Sequence, residues 1–337
     1  MAPSVPQPKN CIVAKQMRIV MMGTGPYAAP TLARLDQSPH QVLALVTRPE
    51  QAVRGQRTFA TNPMRQLAVA QAIPVLDPED VNSETAQTAL RNLNPDLLLV
   101  CDYGQLLAPE TLSVAKHGGF NLHASLLPRY RGAAPIQWAI YHGETQTGNT
   151  VIHMSAALDA GPIVARQVAQ IGAEETAIEL EARLARSGAT LVLEAIAAEE
   201  AGTLTALPQE HAAATRAPKM KKDDGQIDWN RRAEEIVNQV RALVPWPKTY
   251  THWFPDTKNP LRMIVEKVAV ESGERPARPG EVVEAAGDRL LVGTGEGLLR
   301  VEQLQPAGKK SLPASAFLRG YRISVGESFG MSKRQAE

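Results

Sequence analysis

Arg18-Ile-Val-Met-Met-Gly-Thr-Gly-Pro-Tyr-Ala28 is a short apolar run that ends in a glycine-rich turn, and the residues after it, to Asp36, have the spacing of an amphipathic helix. An apolar run without alternation reads as a strand covered on both faces, the situation of a parallel strand flanked by crossover helices. The unit recurs through the first half of the chain. Strands are predicted near Arg18–Met22, Val42–Thr47, Asp96–Cys101, Gly119–His123, Thr150–Met154 and Ile163–Val168. Helices are predicted near Tyr27–Asp36, Pro63–Gln71, Ser83–Leu93, Pro135–His142 and Ala177–Ala201. The expected class is α/β: a Rossmann-like, mostly parallel sheet with helices on both faces. The opening turn, Gly23-x-Gly25-x-x-Ala28, fits a dinucleotide fingerprint, but the second strand ends in Thr47-Arg48 where that fingerprint wants an acidic residue. Two readings stay open: an NADP-dependent oxidoreductase with Arg48 at the 2′-phosphate, or a tight βα turn that binds no nucleotide.

The whole chain, 337 residues with 44% apolar side chains, can bury one or two cores of ordinary size. With 36 basic and 35 acidic residues it is no polycationic coat protein, yet the charge is uneven. Residues 1–210 carry 15 basic and 19 acidic side chains, residues 211–337 carry 21 and 16, so the C-terminal part is the basic one. Two cysteines, Cys11 and Cys101, make no disulfide framework and fit a reducing compartment. No apolar run approaches the roughly 20 residues that cross a bilayer, and residues 1–16, rich in proline and polar groups, lack the apolar stretch of a secretory signal. The expectation is a cytoplasmic protein without membrane contact.

Periodicity stops between Gln209 and Gly225, where small, polar and charged residues read as a linker. Beyond it a helix is predicted over Arg231–Leu243. Short β-like runs at Met263–Ala269, Gly280–Glu284, Arg289–Val292 and Leu298–Leu304 then read as a small barrel or sandwich. The expected organisation is a disordered extension over 1–16, a catalytic domain over 17–208, a basic linker over 209–225, a small β domain over 226–330 and a tail over 331–337.

The chemistry-bearing stretch is Phe120-Asn-Leu-His-Ala-Ser-Leu-Leu-Pro-Arg-Tyr-Arg-Gly-Ala-Ala-Pro135, a strand end that runs through a loop into a helix. Side chains two apart on a strand share a face, so Asn121 and His123 converge where open parallel sheets bind ligands. An amide and an imidazole together suit a developing oxyanion, and the imidazole also moves a proton near neutral pH. A solvent-facing polar strand end is the plainer alternative. Asp159, in the turn Leu158-Asp-Ala-Gly-Pro162, is the candidate to fix the histidine's tautomer and stabilise its charged form. Trp246, between two prolines, is expected to anchor a turn against a core rather than stack on a base. His117, His142, His153 and His211 lack metal-ligand spacing, so no metal is expected.

Ser125-Leu-Leu-Pro-Arg-Tyr-Arg-Gly-Ala-Ala-Pro-Ile136 resembles the signature loop of the folate-dependent formyltransferases. The resemblance runs from about Met17 to Gly320. It takes in Gly23-Thr24, Ala28-Ala-Pro30, Tyr103-Gly-Gln-Leu106, Ala217-Pro-Lys219, Asp224-Gly-Gln-Ile-Asp-Trp229, Val244-Pro-Trp-Pro247, Leu304–Lys310 and Phe317-Leu-Arg-Gly320. The C-terminal motifs are those of members acting on initiator methionyl-tRNA and are absent from the smaller glycinamide ribonucleotide formyltransferases.

The resemblance implies a catalytic trio of Asn121, His123 and Asp159. It implies a reduced-folate site lined by Tyr103, Gly104, Gln105, Leu106, Ser125, Leu126, Leu127 and Pro128, with Leu158–Pro162 closing around the pterin. Its C-terminal unit would be an oligonucleotide-binding-like (OB-like) barrel. Contacts with tRNA would come from Arg54 and Arg57 in the loop after the second strand, and from Arg216, Lys219, Lys221 and Lys222 in the linker. The implied reaction passes the formyl group of 10-formyltetrahydrofolate, a co-substrate, to the methionine α-amine of the charged initiator tRNA, for translation initiation, by a monomer. Asp102 stands where the family usually carries a small residue, and Ser155 and Ala157 where it carries an acidic residue and a glycine. The rival readings are another folate-dependent formyltransferase or hydrolase with the same trio, such as one acting on an amino sugar, the NADP-dependent oxidoreductase, and a catalytically silent RNA-binding protein.

Overall fold

The computed structural model describes residues 16–50, 62–254, 260–272 and 276–330. Cys11, Arg54, Arg57 and the segments 1–15 and 331–337 lie outside the described residues. Two compact units divide the chain, each discontinuous: one holds the residues up to His123 with Thr150–Arg166 and Ala185–Gln209, the other Ala124–Asn149, Gln167–Leu184 and the residues from Glu210 onward.

The strands of the first sheet are β1 (Arg18–Met22), β2 (Gln41–Val46), β3 (Val75–Leu76), β4 (Leu97–Val100), β5 (Gly119–His123), β6 (Gln146–His153) and β7 (Ile163–Gln170). The helices of this half are α1 (Ala29–Asp36), α2 (Pro63–Ala70), α3 (Glu84–Leu93), α4 (Pro109–Leu112), α5 (Pro135–Tyr141) and α6 (Ala177–Glu200). Sheet order is β3-β2-β1-β4-β5-β6-β7, with β1 parallel to β2 and β4, β2 parallel to β3, β4 parallel to β5, and β5 antiparallel to β6. The α/β expectation therefore holds. The central strands show why: all four residues of β4 are buried and four of the five in β1, as strands covered on both faces must be. β3 and α4 escaped the sequence reading because a two-residue strand and a single turn are shorter than the periods that reveal such elements. Helix α3 starts where the Ser83 hydroxyl accepts from the Ala86 N–H and ends at Asn94 in the left-handed region (φ +48°).

Helix α7 (Ala233–Ala242) opens the C-terminal part, followed by β8 (Thr249–Trp253), β9 (Leu261–Glu271), β10 (Val282–Ala286), β11 (Arg289–Gly293), β12 (Leu298–Pro306), β13 (Leu312–Pro313) and α8 (Ala314–Gly320). The strands pair antiparallel in the order β10-β11-β12-β9-β8, with β13 on β12. Residues 328–329 close the two edges: Phe329 bridges to Trp253 at the end of β8, and Ser328 bridges to Glu281 just before β10. Such closure removes unpaired strand edges and gives a barrel-like unit. Its core is built on Trp229, Ile236, Trp253, Met263, Leu299, Phe317 and Phe329.

Trp246 is a correction: 48% of it is exposed. The aromatic places in this core are taken by Trp229, Trp253, Phe317 and Phe329, and the proline-flanked turn leaves Trp246 at the surface.

Candidate active site

From β1 the chain steps outward through β2 and β3 and returns to the centre at β4, so the sheet reverses its order between β1 and β4. Crevices at the carboxyl ends of strands flanking such a reversal are the usual ligand sites of open α/β sheets. The turn after β1 lies there. Thr24 N–H donates to the Asp102 carbonyl (3.0 Å), and a Cβ on Gly25 would overlap the Asp102 carboxylate. A dinucleotide pyrophosphate needs a close, electropositive backbone approach at this point. Here it would meet an anion, so the turn is a structural one and the oxidoreductase reading loses its phosphate site. Asp102 itself has φ +47°.

Strand β5 presents Asn121 and His123 at its carboxyl end. Beside it β6 runs the other way, pairing His153 with Phe120, and the connection after it carries Asp159 back toward them. Asn121 Nδ2 donates to Asp159 Oδ1 at 3.2 Å, and His123 Nδ1 lies 3.7 Å from Asp159 Oδ2. One carboxylate thus faces both side chains, one oxygen to each. The side chains of His123 and Asp159 are 7% and 8% exposed, so the pair is shielded from water and its mutual field is weakly screened. Asp159 has φ +49°, a left-handed conformation that a non-glycine residue holds only when its surroundings enforce it. A residue that the sequence reading missed binds this loop. Gln209, buried at the end of the first unit, donates from Nε2 to the carbonyls of Asp159 (2.9 Å) and Gly161 (2.7 Å). No local pattern marks it, because its partners are backbone atoms about fifty residues away.

The residues that the resemblance assigns to folate fall into two groups. Gly104 (φ +83°) turns the loop after β4, and Leu106 is 62% exposed. Leu158, on the loop that carries Asp159, is 53% exposed. Gln105 instead clamps its own surroundings, accepting from Val81 N–H and donating to the Pro78 and Glu79 carbonyls. Tyr103 is buried in the core with Val46, Val81 and Leu90. Ser125, wholly buried, donates to the Arg129 carbonyl (2.7 Å), Leu127 is buried, and Leu126 and Pro128 are partly buried.

Among the described residues the Tyr103 hydroxyl has no hydrogen-bond partner. Its pKa is pushed up to about 12, chiefly by burial; Arg48 opposes the rise and Asp80 adds to it. The phenol ionises more easily in the unfolded chain, so this group's contribution is complete below about pH 10 and is lost as the pH climbs toward 12. Removing an unpaired buried hydroxyl relieves a desolvation cost of about 1 kcal/mol. Tyr103→Phe is therefore expected to melt no lower than the parent and to lose part of the decline in melting temperature above pH 10. A clear drop in melting temperature at neutral pH would show that the hydroxyl is paired.

Arg216, Lys219, Lys221 and Lys222 are all exposed. The segment that bears them is strapped down, with Arg131 N–H donating to Thr215 O, Ala217 N–H to Arg131 O, and Trp138 Nε1 to Pro218 O. It lacks periodicity because its order comes from these contacts and from two single 3-10 turns, His211–Ala213 and Lys222–Gly225, too short to show a period. Among the described residues no group of three or more His, Cys, Asp or Glu is arranged to hold a metal ion.

Two family models cover most of the chain: formyl transferase over residues 17–196, and formyl transferase, C-terminal domain, over residues 219–322. The methionyl-tRNA formyltransferase of Geobacter metallireducens is 41% identical over 315 residues, 93% of this chain and 99% of the relative. That of Rhodopirellula baltica is 40% identical over 328 residues, 94% of this chain and 97% of the relative. Among solved structures, an N-formyltransferase from Helicobacter canadensis complexed with folinic acid and dTDP-3-aminofucose superposes with a TM-score of 0.63 at 16% identity, over 85% of this chain and 99% of its own. HypX from Aquifex aeolicus with tetrahydrofolic acid gives a TM-score of 0.61 at 18% identity, over 92% of this chain and 48% of its own. These two likenesses concern the fold. With both family models matched and relatives of matching length at about 40% identity, the chain belongs to the formyl transferase family, in its methionyl-tRNA formyltransferase branch.

Proposed function

We propose that the protein transfers the formyl group of 10-formyltetrahydrofolate to the α-amino group of methionine esterified to initiator tRNA. The observation that carries this reading is the single carboxylate of Asp159 facing both Asn121 and His123 at the end of β5, in a chain of this family. Leu106 and Leu158, on the loops that the resemblance assigns to the folate, are large apolar side chains left exposed.

The chemistry asks for little beyond placement and charge stabilisation. A bond forms between the amine nitrogen and the formyl carbon, the bond from that carbon to the folate nitrogen breaks, and one proton passes from the amine to the departing nitrogen. Asn121 is assigned as amide donor to the oxyanion that develops on the formyl oxygen, and His123 as its charged partner and proton carrier. Asp159, with a carboxylate oxygen 3.7 Å from the ring nitrogen, is assigned to orient the imidazole. Their burial lowers the local dielectric, which strengthens each of these interactions. The proposed acting species is a monomer. No described helix is long and apolar enough to cross a membrane, and the proposed site of action is the cytoplasm, with the translation machinery. The direct test mixes the protein with 10-formyltetrahydrofolate and charged initiator tRNA and assays for a blocked methionine amino terminus. Absence of product with active controls would overturn the reading.

An amino-sugar acceptor is the second reading, since the Helicobacter canadensis enzyme shares the fold. The match to the C-terminal formyl transferase domain and the full-length likeness to methionyl-tRNA formyltransferases favour tRNA. So does the excess of basic over acidic residues after 210.

Phosphate contacts release counterions, so affinity falls with salt in proportion to their number. Replacing both Lys221 and Lys222 with Ala is expected to weaken tRNA binding and lower the slope of log affinity against log salt by about 1–2. The KM for the folate should be unchanged. An unaltered slope would remove these lysines from the tRNA contact; Arg54 and Arg57, the other proposed contacts, belong to the segment outside the described residues.

A further inference from the structure

We infer that Gln209 is a positioning residue for the formyl transfer, acting through Asp159. This rests on the assignment of Asp159 above. Both hydrogens of the Gln209 amide are directed at backbone carbonyls of the Asp159 loop, those of residues 159 and 161, while the residue itself is only 7% exposed. The loop needs such a hold. Asp159 sits at φ +49°, and Gly161 passes so close to the His153 carbonyl that a Cβ there would overlap it.

Gln209 is in turn fixed. Two residues earlier, Leu207 forms a bridge with Ile163, its N–H donating to the Ile163 carbonyl and its carbonyl accepting from the Ile163 N–H, each at 2.8 Å. The strand start at Ile163 and the loop before it are thus gripped by one short extended segment, with Gln209 as the side-chain member of the grip. An amide is the side chain for this role, since it offers two donors on one nitrogen. A carboxylate of the same shape would oppose both carbonyls. Without the grip the backbone at 159 is free to leave its left-handed conformation, and the carboxylate swings away from Asn121 and His123. A displacement of about 1 Å in such a group commonly costs about 100-fold in rate.

A double-mutant cycle separates this role from a merely structural one. Single-turnover formylation is measured for the parent, Gln209→Leu, Asp159→Asn and the double variant, with melting curves for each. Gln209→Leu is expected to lower the rate about 10- to 100-fold with little change in the KM for tRNA, and to cost less than about 3-fold once Asp159 is already Asn. If the Gln209 substitution costs the same factor in both backgrounds, or costs nothing in the parent, the positioning role is overturned while the site assignment stands. If Asp159→Asn turns over at the parent rate, the site assignment itself fails. Should Gln209→Leu not fold, Gln209→Glu keeps the size and shape and enters the same cycle with the same expected outcome.

Discussion

His123→Ala is expected to form product about 100- to 1,000-fold more slowly than the parent in single turnover, the loss typical of deleting one oxyanion-stabilising group from a shielded site. Asn121→Ala is expected to fall in the same range. The two losses should not multiply in the double variant, because both side chains are proposed to act on one oxygen and both face one carboxylate. Affinity for charged tRNA should be preserved in each case, since neither residue is among the exposed cations. His123 is only 6% exposed, so its removal also leaves a small buried void, and melting curves must accompany the rates. Near-parental turnover by a folded His123→Ala protein would contradict the assignment.

The second large effect is expected from Gly161→Ala. Adding one methyl group there brings it onto the His153 carbonyl oxygen, a backbone atom that cannot swing aside as a side-chain end would. His153 N–H already donates to the Pro162 carbonyl at 2.9 Å, so the two segments cannot part without losing that bond as well. The loop must shift, and it carries Asp159 two residues earlier. Turnover is expected to drop about 100-fold or more, as for a misplacement near 1 Å, together with a lower melting temperature. Gly320→Ala serves as the comparison: a Cβ at Gly320 meets nothing within 4 Å, and that variant should match the parent in both measurements. Equal behaviour of the two variants would show that the loop yields without consequence.

Asn121 and His123 were legible because strand periodicity is a local property. Two residues apart on a run ending at the edge of a sheet share a face wherever that sheet sits. The linker lysines were legible as charges, and the structure leaves them exposed. Other features had no local signature. Gln105 reads as a pocket residue by resemblance, yet its amide is engaged with the backbone of residues 78–81, which only the fold brings within reach. Trp246 reads as a core anchor, yet the core takes its aromatic residues from Trp229, Trp253, Phe317 and Phe329 and leaves Trp246 half-exposed.

What the sequence determined by itself was the class of the fold and which chemistry-bearing side chains were candidates for its site. Buried-strand runs, helix spacing, an amide and an imidazole in alternation, and a carboxylate in a turn are all written within short stretches of chain. Only the tertiary structure decided that Asp159 faces both β5 side chains, that the Gln209 amide donates to the carbonyls of its loop, and that Asp102 stands against Gly25 where a phosphate would have to approach. The physical reason is the same in each case: these arrangements depend on backbone carbonyls and side chains tens of residues apart, and their distances are set by how the strands order and pack.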